Sequence, residues 1–600
     1  MANIGDLMTR TYGNFRGIDL LNPPNSVDLS RSPDCLNVWK SYSDTQSNII
    51  QTRPGLTKLV NLGNEAIYSL YVFRNDIALV HIGTKLIKWV GFPSDKISVQ
   101  VLKSDMRDNK SIMLFFNDYI YILDGSHFLK FDGTKLINLV NEAYIPTTTI
   151  SRSPSGGGER FEDINLLSSK RKNSFLADGT STEYVLDATT IDSVDKVWIN
   201  DILVTDYTIN KNLGKVIFNT APEKPTLIGK DNVVVEFTKE VQGYKERIEK
   251  ATIACVFDNR IFFSGNKEFG NAVFHCSLNN PAYVSDLDYY ECGSQDNQIK
   301  SLVVGNNLLW VLKEENQNKD TIFYLTPTTD AEYGRIYPRK QGNLTVGCYA
   351  GAINFKDNIL FLSRNGLEGI NSNIEYEQSV SHKSSLVDSR MTKMSNYMFC
   401  NIADYNDYLM IAIDNVVFLA DSRAKYHGTK GTEYEWFVWK FPYNISMLKN
   451  YLGKLYIADD NGNLYVLEGT NDNEQIIKSY WNTPRDDFGY MNHLKTINKR
   501  GSIIKIKSQA NGKVKISEQT NKNENWKLLK EASSSGFDFN NVDFQNFSFI
   551  SADSAYIVFR VKEKKIIDIS IKVFSDELNK PFGLDSIVIE AYLGGYVKRS

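Results

Sequence analysis

The chain has 600 residues, with 68 Lys and Arg against 71 Asp and Glu and a formal net charge of −3. That balance lacks the basic excess a dedicated nucleic-acid binder needs, because such affinity comes from neutralising phosphates. The length exceeds one ordinary core, and 32 Tyr with 32 Phe suit pleated surfaces, so a β-rich chain of several domains is expected.

In chain order, residues 1–60 form a polar N-terminal segment with its own turn signals. It is expected to pack along the propeller described next or to reach a neighbour. Arg53-Pro54-Gly55 reads as a turn into the first repeat strand, and Arg53 is a candidate salt-bridge anchor between units.

Residues 61–150 begin an internal repeat: a turn of Asn, Asp or Gly, an apolar run, a second turn and a second apolar run. The first copy is Arg74-Asn75-Asp76 with IALVHIG and KLIKWVG, the second Phe116-Asn117-Asp118 with YIYILDG and HFLKFDG. Residues 246–474 continue it at Phe257-Asp258-Asn259, Gly305-Asn306-Asn307, Lys356-Asp357-Asn358, Tyr405-Asn406-Asp407 and, more loosely, Leu452-Gly453-Lys454. Asn and Asp tolerate positive φ and suit tight hairpins, while runs of four to six apolar residues fit strands buried on both faces. A spacing of about 42 and then about 47 to 51 residues is that of propeller blades. A blade cannot bury both faces alone, so the copies must stack. Seven copies are visible, one of which could be completed by strands of the N-terminal segment.

One interval is too long by roughly 94 residues, the size of a small β-sandwich. Residues 151–158, SRSPSGGG, have linker composition. Residues 155–245 then read as a sandwich inserted into the propeller, with an exposed turn at Asp178-Gly179-Thr180 and strand-like runs KVWINDILV, YTINKNLGKVIFN and NVVVEFT. Residues 475–600 hold SIIKIKS, KVKISEQ, AYIVFRV, IDISIKVF and SIVIEAYL, a C-terminal β-sandwich. The expected fold class is therefore all-β: a β-propeller of about seven blades with an inserted small β-sandwich and a C-terminal β-sandwich.

Chemistry-bearing patterns are sparse. Cys35, Cys255, Cys276, Cys292, Cys348 and Cys400 form no CxxC pair, and His81, His127, His275, His382, His427 and His493 do not cluster with them. Buried free thiols are expected, not a zinc site or disulfide framework. There is no GxSxG, HExxH or P-loop. Gly156 to Gly158 precede no strand-to-helix phosphate site. A propeller glycosidase would need two close carboxylates. Asp286, Asp288, Asp459 and Asp460 are the candidates, and their spacing singles out no pair. The string from Ala458 to Asn463 is similar to a sialidase Asp-box and equally to an ordinary blade turn. His81 reads as a strand residue, and Trp436 and Trp439 as blade core in preference to a sugar platform. No catalytic, cofactor-binding or metal residue is assigned, and no cofactor is expected. Residues 1–10 carry no apolar core of signal-peptide length, and no stretch approaches a membrane span, so synthesis and assembly in the cytoplasm are expected.

The opening NFRGIDLLNPPNSVDLSRSPDCLNVWKSY followed by IIQTRPGLTKL resembles a family of bacteriophage virion proteins described as tail, stabilisation or minor structural proteins. Its elements are Asn14 to Asp19, Arg31-Ser32-Pro33-Asp34, Leu36-Asn37-Val38 and Arg53-Pro54-Gly55. The resemblance continues in Asp258 to Asn266, Leu309 to Glu314, Trp481-Asn482-Thr483-Pro484 and Pro581-Phe582-Gly583-Leu584. The inserted segment, with Phe175, Asp178-Gly179-Thr180 and Val197-Trp198-Ile199-Asn200, resembles small sandwich modules of phage tails. By this likeness the chain is similar to the propeller-bearing tail nozzle or tail tube proteins of short-tailed phages. The resemblance implies a non-enzymatic ring homo-oligomer, usually sixfold, around the DNA ejection channel. It implies contacts with other tail or neck proteins, passage of DNA without tight binding, and contact with a host surface. The rival readings are a neck or collar component, a tail-tip receptor- or glycan-binding propeller, and a propeller glycosidase.

Overall fold

The computed structural model describes residues 4–42, 49–74, 76–94, 98–331, 334–342, 344–370, 380–428, 431–507, 512–533 and 554–597. Asn75 of the first turn and Ser508 of SIIKIKS lie outside the described residues. The structure is that of an all-β β-propeller protein. Among the described residues there are seven four-stranded antiparallel sheets of blade type.

The turns explain why the repeat folds this way. A two-residue hairpin that matches the strand twist needs positive φ at both central residues. Asn117 and Asp118 (φ 46 and 65), Asp258 and Asn259 (48 and 55), Asn306 and Asn307 (55 and 59) and Asn406 and Asp407 (45 and 66) supply it. Lys356-Asp357 and Leu452-Gly453 adopt the same conformation. The strand after each turn is buried on both faces, as in Ile77–Ile82, Leu308–Lys313 and Tyr408–Ile413.

The chain divides into two compact units. One comprises Tyr68–Phe92 and Ile97–Cys348. It carries four of the blade sheets and the insertion. The insertion pairs a six-stranded sheet with a three-stranded one around Phe175, Tyr184, Val197, Phe218, Val235 and Phe237. All three runs expected to be strands are strands. Residues 151–158, however, are not a linker. The sheet already begins at Thr147–Arg152, whose hairpin partner is Glu159–Arg160. Gly156, Gly157 and Gly158 all have positive φ in the turn between them. Gly-rich composition fits a free tether and a tight hairpin equally, and here it makes the hairpin.

The other unit comprises Met1–Ile67, Pro93–Lys96 and Tyr349–Ser600. It holds three blade sheets and the C-terminal sandwich. The N-terminal segment is not a separate layer. Leu7–Gly13 pairs with Gly583–Tyr596, Ile50–Thr52 joins the same sheet, and Cys35–Leu36 pairs with Ser479–Asn482. Leu56–Asn61 is the outer strand of the last blade, paired with Asn463–Leu467. Arg53-Pro54-Gly55 thus leads into a strand of the last blade, not the first. The inward faces of the two C-terminal sheets share one core with Trp481, Ile504, Ile516, Ile571, Val573 and Ile587, all buried.

Candidate functional site

The early segment is held by buried ion pairs. Arg53 uses its whole fork. Nη1 and Nη2 donate to the two oxygens of Asp472 at 2.8 and 2.5 Å, Nε to Asn37 Oδ1 at 3.0 Å, and both Nη also reach the carbonyls of Pro54 and Lys440 at 2.9 Å. The guanidinium also lies 4.0 Å from the centre of the Phe441 ring. Such planar, multidentate geometry is beyond lysine. Arg31 makes a second forked pair with Glu435 at 2.9 and 2.5 Å. Tyr12 donates to Asp486 Oδ2 at 2.8 Å, and Arg10 Nε lies 3.2 Å from the same oxygen. These contacts tie residues 10–53 to residues 435–486.

His382 lies between two carboxylates. Nδ1 is 2.9 Å from Glu368 Oε1 and Nε2 is 2.6 Å from Asp388 Oδ2. Burial works against the charge, but the bonds to Asp388 and Glu368 outweigh it and push the imidazole up to about 10. Ser384 Oγ donates to Asp388 Oδ1, not to the ring. With both ring nitrogens held by carboxylates and the Ser384 hydroxyl turned to Asp388, the arrangement lacks the serine-to-imidazole hydrogen bond of a nucleophile relay.

Asp286 and Asp288 come together with Asp163 where the insertion meets the third blade. Asp286 N–H donates to Ile164 O at 2.9 Å, and Ser285 Oγ to Asp163 Oδ2 at 3.2 Å. Burial lifts Asp288 up to about 6, with Arg260 opposing and Asp163 and Asp286 reinforcing the shift. Asp286 is raised by burial and then by Asp163. The joint itself rests on Asn165, fully buried. Its Nδ2 donates to Tyr144 O and Ala282 O at 2.8 Å, and its Oδ1 accepts from Leu167 N and Val284 N at 3.1 Å. Nothing in the sequence marked this asparagine.

The other sequence candidates fall into structural places. Asp459 is buried and accepts from Asn461 N, Asn463 N, Asn463 Nδ2 and Tyr465 Oη within 2.8 to 3.1 Å, so the Asp-box-like string is a blade turn. Asp460 is exposed. His81 is a buried strand residue beside Ser111 Oγ at 3.0 Å. Trp436 and Trp439 are fully buried. The six cysteines are free; five are buried and Cys255 is half-buried. Among the described residues no group of three His, Cys, Asp or Glu side chains could hold a metal ion. Among them, too, no helix is long and apolar enough to cross a membrane.

Two open surfaces stand out among the described residues. Asn200 N–H donates to Asn232 O, so the turn at 200–201 and the start of Val233–Thr238 share one end of the insertion's sheet. Ile202, Leu203 and Leu227 near this end are more than half exposed, and Ile228 is fully exposed. In the other unit, Lys356, Lys383, Arg423 and Lys425 line a cavity of about 470 Å³. Asp407 pairs with both Lys356 and Arg423 there.

No family model matches the chain, and no curated protein matches it. Among solved structures, BamB from Moraxella catarrhalis is similar at 9% identity and a TM-score of 0.29, over 72% of this chain and 92% of that one. A streptogramin B lyase is similar at 8% identity and 0.35, over 69% and 97%. A catalytically inactive variant of virginiamycin B lyase from Staphylococcus aureus, with quinupristin, is similar at 10% identity and 0.34, over 68% and 98%. Likenesses this distant carry no conclusion about what the chain does.

Proposed function

We propose that the chain is a non-enzymatic bacteriophage virion protein. It forms a homo-oligomeric ring at the tail, as a nozzle, tube or hub component, and supports delivery of the genome through the channel it surrounds. The observation that carries this reading beyond the sequence resemblance is the aliphatic end of the insertion. Ile202 and Leu203, in a strand, and Leu227 and Ile228, in the loop before Val233–Thr238, are all more than half exposed, and exposed apolar groups gathered in a patch mark contact surfaces. A ring needs such a patch to meet a different surface on the next subunit, in a head-to-tail contact. The buried ion pairs of Arg53 and Arg31 support the reading, because they fasten the early segment to residues 435–472 within one unit.

Electron microscopy and mass photometry of the purified chain test this. Rings are expected, and a Leu227→Asp, Ile228→Asp double variant is expected to remain folded and to shift the population towards monomer. A chain that stays monomeric and is absent from purified particles overturns the reading.

A further inference from the structure

The C-terminal five-stranded sheet turns one face to the core and the other outward. Strand register places Tyr480 opposite Phe574, Asn482 and Ser517 opposite Lys572, and Gln519 opposite Ser570 on the second face, where Tyr480, Lys572, Phe574 and Gln519 are half-buried and Asn482, Ser517 and Ser570 are buried. The Lys572 ammonium lies 4.1 Å from the centre of the Tyr480 ring, 5.6 Å from Trp526 and 5.7 Å from Phe574. Three aromatic rings, all half-buried, are thus gathered around one cation.

Half-buried Trp526 borders two cavities. One, of about 510 Å³, is lined by Asp34, Asn482, Gln519, Glu524 and Asp568. The other, of about 290 Å³, is lined by Lys515, Lys572, Phe574 and Asp576. These volumes are of the order of small-molecule sites. Asn482 is 6% exposed, and its Oδ1 has no hydrogen-bond partner. Asp568 Oδ1 is also buried without one, with Arg485 Nε 3.9 Å away. Buried acceptors without a protein donor favour a ligand that brings hydroxyl groups.

The geometry points to a saccharide-binding face centred on Trp526, taking a neutral or amino sugar. A pyranose has an apolar C–H face that packs on an indole and a hydroxyl edge that donates to carboxylate and amide oxygens. The larger cavity sets Asp34, Glu524 and Asp568 against Arg485 as its one cation, and that balance repels an acidic sugar.

Saturation-transfer NMR and calorimetry on the full chain with maltotriose, chitotriose and sialyllactose test the proposal. A neutral trisaccharide is expected to bind and sialyllactose is not. Trp526→Ala is expected to weaken binding at least about tenfold and Trp526→Tyr to keep it within about threefold. Gln519→Ala weakens it too, and provides the comparison if Trp526→Ala does not fold. The proposal is overturned if neither neutral sugar binds, if sialyllactose binds best, or if binding survives loss of the indole or of Gln519 undiminished. Loss of ring formation in Trp526→Ala with no sugar bound by the parent chain also overturns it, since the face is then a subunit contact.

Discussion

Arg53 and Asp472, 419 positions apart in the chain, meet in a two-pronged ion pair whose side chains are 0% and 3% exposed. Each charge is out of water and depends on the other. Removing one partner leaves the other buried and unpaired, which costs about 3–5 kcal/mol. Arg53→Met and Asp472→Asn are each expected to lower the urea midpoint of the unit that holds residues 349–600. Arg53→Lys is expected to rescue little, because a lysine cannot reproduce the fork. A midpoint for Arg53→Lys equal to the parent would contradict this.

Leu452 is 81% exposed with φ 49, at a turn position held by Asn or Asp in four of the other blades, at Asn117, Asp258, Asn306 and Asn406. A branched side chain gains nothing there and bears the left-handed strain of about 1–2 kcal/mol. Leu452→Asn is expected to stabilise the last blade by about 1 kcal/mol, read as a higher melting temperature. Leu452→Val is expected to move it the other way.

The imidazole of His382 sits at about 10 in the folded chain against an ordinary 6.5. The raised value means that the folded state holds the proton more tightly. The resulting stabilisation is complete below pH 6.5 and is lost as pH climbs towards 10. The melting-temperature gap between the parent and His382→Gln should therefore be widest near pH 6 and close by about pH 10. A gap that stays constant would show that the contribution of His382 is packing alone.

Asp288 behaves oppositely to a salt-bridged carboxylate. Burial lifts it to about 6, so its ionised form is the strained one. Stability at this joint should rise as pH falls from about 6 towards 4. Asp288→Asn is expected to raise stability at pH 8 by about 1–2 kcal/mol and to flatten that rise. Hydrogen exchange of the strands next to residues 163–168 and 282–288 would report it locally.

The blade turns were legible because their backbone demands a short list of residues, and Asn-Asp or Asp-Asn pairs meet it wherever they fall. The insertion was legible because Ser193–Ile199, Tyr207–Asn210 and Val233–Thr238 are rich in the β-branched and aromatic residues that suit strands. The destination of residues 7–61 was not legible. Strands such as Leu7–Gly13 and Ile50–Thr52 are short, and only contact with Gly583–Tyr596 fixes their register. Arg53 could be named as an anchor, but Asp472 could not, since no local pattern links them. Trp526 escaped notice for a similar reason. It sits in an ordinary polar strand, and its meaning depends on Lys572 and Asp34, which come from distant parts of the chain.

The interleaving of early and late strands sets an order in time. Residues 7–13, 50–52 and 56–61 leave the ribosome long before their partners at residues 463–467 and 583–596. At roughly 5–20 residues per second, Arg53 waits on the order of 20–80 s for Asp472. The insertion, whose strands all lie between residues 147 and 238, can close long before then. Birth order and folding order therefore run in opposite directions here, and a chain stalled before its last hundred residues leaves Leu7–Gly13 and Ile50–Thr52 without the late strand they pair with.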